Sequence, residues 1–139
     1  MKTLLLCVLT SMLFVSALYG QHFIGLGIDE IKTEMQKEKK NFLFSKEVNT
    51  GKYHFLKFET IDETQTMLFL LDDKGKCKFT KLMCDYSLLK TFEDSLNKNY
   101  EYQKNMSWID EGGDENYNYV IELEKKDWFF TIKTTRKKK

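Results

Sequence analysis

Apolar side chains recur at Ile28, Ile31 and Met35, with Glu30, Lys32, Glu34, Lys37 and Glu38 between them. This is the spacing of one helical face, and it predicts an amphipathic helix from the flexible Gly25–Gly27 entry to near Lys40. The period then changes. Residues 42–47 read as a strand, Asn49–Gly51 as a turn and 52–60 as a strong alternating strand. After a turn at 62–64, residues 66–71 are apolar on both parities, as expected of a central strand covered on both sides. Residues 72–76 turn the chain into another strand, 77–84. A second helical stripe follows, with Leu88, Leu89, Phe92 and Leu96 behind a cap at Asp85 or Ser87. Further strands are predicted over 99–109, 116–124 and 128–134, with a polar loop at 110–115.

The order is therefore α-β-β-β(-β)-α-β-β-β, and a repeated phrase marks it. KKNFLFSK at 39–46 returns as NKNYEYQK at 97–104, with Phe42 and Phe44 in the places of Tyr100 and Tyr102. An internal α-β-β-β duplication explains this, with halves of about 25–84 and 85–135. Short connections make the sheet antiparallel and put both helices on one face, giving an α+β fold in a single domain over 21–139. The chain has no proline. Edge protection is then expected from charges such as Lys57, Lys81 and Lys133.

The first twenty residues read differently from the rest. Lys2 precedes an apolar run from Leu4 to Val15, and small residues Ser16, Ala17 and Gly20 follow, the pattern of a signal peptide over 1–20 cleaved after Gly20 or Ala17. The run is too short for a transmembrane anchor, so the expected location is secreted or periplasmic. Without residues 1–20 the formal charge falls from +1 to zero, because Lys2 is the only charge in that segment. A neutral domain is not the basic field of a nucleic-acid binder. The basic cluster Arg136–Lys139 reads as a frayed end. Cys77 and Cys84 on one continuous strand stand about 23 Å apart, far beyond disulfide reach, and read as two free, buried thiols.

Little in the chain carries chemistry. His54 falls on the parity of Leu56 and Phe58 and reads as a packed or rim histidine, since no serine, cysteine or acid stands at a spacing that demands a triad. The loop Asp110–Glu115 gathers four carboxylates around two glycines, but lacks the alternation of an EF-hand and reads as a solvated connection, not a calcium site. Neither a catalytic set, a metal site nor a cofactor motif is expected. The glycine-led helix GIDEIKTEM followed by antiparallel strands, repeated in tandem, resembles the small exported proteins of the β-lactamase-inhibitor-like architecture. The resemblance lies in element order and implies a protein-binding role.

The leading expectation is an exported, non-enzymatic binding or interaction module. A small hydrolase using His54 with nearby acids and a carrier of small apolar ligands are the alternatives. Alternation turns Leu56 and Phe58 toward the helices and Tyr53 and Phe55 away from them. In 128–134 it turns Trp128, Phe130 and Ile132 inward and Phe129 outward. Tyr53, Phe55 and Phe129 are therefore the candidate docking residues, for a protein partner or a second copy in a homo-oligomer. The competing expectation is that Gln21–Gly27, carrying Phe23, Ile24 and Leu26, folds over this outer face and covers it.

Overall fold

Gly27 starts the first helix with its own N–H donated to the Glu30 carboxylate at 3.2 Å, which closes the first turn on itself. In the computed structural model, which describes residues 20–111 and 115–139, this helix is α1 (Ile28–Glu38). Ile31 and Met35 are its buried residues, as the spacing requires. Four strands follow: β1 (Phe42–Asn49), β2 (His54–Thr60), β3 (Gln65–Leu71) and β4 (Cys77–Asp85). The Asp85 carboxylate then accepts the Ser87 N–H at 2.8 Å and starts a 3-10 turn over Tyr86–Leu88, which leads into α2 (Leu89–Asn99). Four more strands complete the described chain: β5 (Glu101–Tyr102), β6 (Ser107–Asp110), β7 (Tyr117–Lys125) and β8 (Phe129–Lys138).

All eight strands form one antiparallel sheet in the order β1-β2-β3-β4-β8-β7-β6-β5. Every neighbour is joined by a hairpin except the central pair, β4 and β8. The hairpins follow local chemistry. Gly51 takes a positive φ of 81° while its N–H is held by the Asn49 side chain. Asp72 accepts the N–H groups of Lys74 and Lys76, each at 2.9 Å, around Gly75 at φ 73°.

The register puts the large apolar side chains in rows on one side of the sheet. Leu56, Phe69, Thr80, Thr134, Ile121 and Trp108 are successive cross-strand partners from β2 to β6, and all are buried. Phe58, Met67, Leu82, Ile132 and Leu123 form the next row, also buried. Phe23 meets Phe69 edge-on at 4.9 Å, and Phe92 of α2 meets Phe130 at 5.9 Å. Trp108 buries its ring and donates its indole N–H to Asn97 of α2 at 2.9 Å.

Several expectations need correction. The segment 99–109 is two strands, because Asn105 and Met106 both take positive φ and fold it into a hairpin. Each helix is thus followed by four strands. The basic end does not fray: Arg136, Lys137 and Lys138 pair with Tyr119, Asn118 and Tyr117. Trp128 stands before β8 and is 87% exposed, so strand parity does not turn it inward. Gln21–Phe23 forms a 3-10 turn with Phe23 in the core against Phe69, so this segment covers the buried side of the sheet and not the outer one. Lys57, Lys81 and Lys133 belong to interior strands; the sheet edges are β1 and β5. Cys77 and Cys84 are free and buried, and both face inward because a bulge beside Cys77 shifts the pairing by one residue. Burial pushes both thiols up to about 12. Most of the expected leader, and Gly112–Asp114 of the acidic loop, lie outside the described residues. No described helix is long and apolar enough to cross a membrane.

Candidate functional site

The outer side of the sheet follows from the same register. Val48, Phe55, Leu70, Phe79, Thr135, Val120 and Ile109 are successive partners across seven strands. Six of the seven are apolar, and all are half-buried. At about 4.8 Å per strand the row runs some 29 Å. The neighbouring row reads Lys46, Lys57, Leu68, Lys81, Lys133, Glu122 and Ser107. Four lysines thus flank the apolar stripe, and Glu122 stands toward its far end. Lys57 reaches Glu59 at 2.7 Å, which holds that carboxyl below its usual range. Lys133 stacks its ammonium over the Phe79 ring at 4.6 Å. Lysine stems lie along apolar surface while their charged ends stay wet, so one face combines an apolar strip with a basic margin.

Of the predicted docking residues, Phe55 lies in this stripe. Tyr53 lies just outside β2 in the β1–β2 turn, exposed, with the Lys52 ammonium 5.3 Å from its ring centre. Phe129 shares the outer face but pairs with Asp85, six residues along β8 from Thr135. That is about 20 Å away, so Phe129 and Phe55 do not form one patch. The sequence reasoning did not single out Val48, Phe79, Val120 or Ile109, whereas Leu70 belongs to the run already expected to be apolar on both sides. Parity does not suffice for Val48, which alternation groups with Phe42 and Phe44; a bulge between Phe44 and Lys46 turns it outward, and only the cross-strand register aligns the row.

A second feature lies on the buried side. Met35 of α1, Leu88 and Phe92 at the start of α2, Phe23, and Met67 and Leu82 of the central strands line a cleft of about 370 Å³. That is within the range of small-molecule sites. Lys39, which caps the end of α1, stands on its wall. Withdrawal from water lowers the Lys39 pKa, against an opposing pull from Glu38.

The remaining candidates are less organised. The Nε2 atom of His54 lies 2.8 Å from Glu47 on the neighbouring strand, a pair near the surface. His22 pairs with Glu38 at 2.9 Å, and with Glu34 these groups could surround a cation, but they are exposed or half-exposed side chains of the kind that commonly cluster without one. Compared with protein-family models, curated proteins and solved structures, the chain finds no match.

Proposed function

We propose that this protein is an exported, non-enzymatic binding module that docks a partner protein on the outer face of its sheet. The observation that carries this reading is the aligned stripe from Val48 to Ile109, which no described segment covers, while Gln21–Phe23 packs on the opposite side. Contiguous apolar surface of this kind is unusual on a monomer and typical of contact sites. The lysine row gives the partner its chemistry: an apolar ridge with carboxylates along one side. Export rests on the pattern of residues 1–20.

The finer architecture supports a binding scaffold. Phe92 of α2 packs on Phe130, and Met35 of α1 shares one cleft with Met67 and Leu82, whose side chains lie on the same side of the sheet, which fits two helices on one face. The strand order is symmetric about the β4–β8 seam, the last strand of each half pairing with the other across it. This favours duplication. Under that reading the repeated phrase aligns β1 with β5, and β6 becomes the counterpart of β2. Tandem halves of this order also agree with the resemblance to the β-lactamase-inhibitor-like architecture.

The test uses wild type, a Phe55→Lys/Phe79→Lys variant and a Lys46→Glu/Lys133→Glu variant, each with its fold checked by circular dichroism. The immobilised proteins are offered culture supernatant from the source cells, and any captured protein is identified and rebound in purified form. A partner that binds wild type, is released by 0.5 M salt on the order expected for screened charges, and fails to bind either folded variant supports the reading. Sedimentation that shows a wild-type dimer broken by both variants makes a second copy the occupant instead. A partner that binds all three equally overturns it.

A further inference from the structure

Two ionisable groups stand on the wall of the cleft between α1, α2 and the central strands, and they are not equivalent. Glu38 is engaged by His22 at 2.9 Å. Lys39 makes no ion pair among the described residues. The rest of the polar lining is neutral: Asn41, Gln65 and Thr91. The cavity therefore offers an apolar interior of Phe23, Met35, Met67, Leu82 and Phe92 and, on its wall, the Lys39 ammonium, which feels the charge of Glu38 but makes no ion pair with it while that carboxylate is held by His22.

We infer that this cleft binds a single-chain amphiphile, its apolar tail against Met67 and Leu82 and its anionic head on the Lys39 ammonium. Three features fit. The volume of about 370 Å³ suits a small ligand and not a folded segment. Methionines at Met35 and Met67 line the tail region, and their flexible thioethers adapt to chains of different shape. A carboxylate or phosphate arriving at Lys39 exchanges water for a charge-assisted hydrogen bond in a partly dry setting, where such a bond is stronger than in bulk water. A cationic head would be repelled by the ammonium, and an uncharged one would make no charge-assisted bond with it. The cleft lies on the side of the sheet opposite the proposed docking stripe, so the two sites are tested independently.

Isothermal titration calorimetry with decanoate, decyl phosphate, decan-1-ol and decyltrimethylammonium, each below its aggregation threshold, decides the matter. Wild type should bind the two anions at one saturable site, with the alcohol about tenfold weaker or more, as expected for loss of one charge-assisted bond. Lys39→Met should weaken the anions by about the same factor and leave the alcohol unchanged, whereas Lys39→Arg should retain them. Thr91→Trp, made at an exposed helix position on the rim, should abolish binding of all probes. Melting curves for each variant separate loss of the site from loss of the fold. Absence of saturable binding to wild type overturns the inference, as does an ammonium probe that binds as well as decanoate, or anion binding that survives Lys39→Met.

Discussion

The two sides of the sheet are built from alternate residues of the same strands, yet they solve different problems. On one side Leu56, Phe69, Thr80, Thr134, Ile121 and Trp108 are all buried, with the Phe23 ring packed on Phe69. One residue along each strand, Phe55, Leu70, Phe79, Thr135, Val120 and Ile109 remain half in water. Hydrophobicity is similar in the two rows; cover is not. The outer stripe is therefore apolar beyond what the fold needs, and that surplus is the argument for a contact surface.

Neighbours on one strand sharpen the contrast most. Phe69→Ala opens a cavity at a fully buried ring and should cost about 3–5 kcal/mol. Leu70→Ala, at the next residue on the half-exposed side, should cost about 1 kcal/mol. Urea denaturation of both variants measures this, and equal losses would mean that the outer side is as well packed as the inner. Cysteine chemistry makes the same comparison on β4. With burial holding Cys77 and Cys84 near 12, neither should react with an aromatic disulfide reagent at pH 8 in the native state. A Met83→Cys variant, which places a thiol beside Cys84 but on the other side, should react about a hundredfold faster or more. Similar rates at the two positions would show that the buried side opens readily.

How much of this was legible beforehand depended on whether the signal was local. Ile28, Ile31 and Met35 mark α1 by spacing alone, and alternation in 54–60 marks β2 and places Phe55 outward. What failed were features set by a single residue or a distant partner. Asn105 and Met106 split one predicted strand into two by backbone conformation, in a segment with no glycine to announce it. The bulge beside Cys77 reverses parity within one strand. Phe23 reads as part of a covering segment, but which side of the sheet it covers is decided only by Phe69 against it. The stripe needs six registers at once, so no window of sequence contains it. Phe129 was assigned to the outer face correctly in parity, but distance along the strand removes it from Phe55.

Smaller effects test the cover itself. Trp108→Phe keeps the ring buried but removes the bond to Asn97, and a loss of about 1 kcal/mol in thermal or urea unfolding is expected. A neutral result would mean that α2 is held by packing alone. The smallest effect concerns the β3–β4 turn. The backbone N–H groups of Lys76 and Lys74 hold the Asp72 carboxyl below its ordinary value, Lys76 contributing most. A depressed carboxyl stabilises the fold above its unfolded value near 3.8 and loses that contribution as pH falls through the lower folded value. Asp72→Asn should therefore flatten the acid limb of a stability profile slightly and leave pH 7 almost unchanged, since asparagine still accepts through its side-chain oxygen. An unchanged acid limb would assign that limb to other carboxylates.

The β4–β8 seam has a consequence for the order in which the molecule can form. Hairpin neighbours join β1 to β4 and β5 to β8, so each half can organise through contacts close in the chain, which form quickly. The seam joins Phe79–Asp85 to Phe129–Thr135, about fifty residues apart in sequence, and must close last. Until β8 exists, β4 is not the centre of a sheet but its rim, with Phe79 and Met83 beside an unpaired backbone. Such an edge invites pairing with another nascent chain. Two chains that meet at this stage can each supply the other's β8, which would give an exchanged dimer whose subunits hold every contact of the monomer. The strand that is best protected in the finished protein is the one most exposed while it is being made.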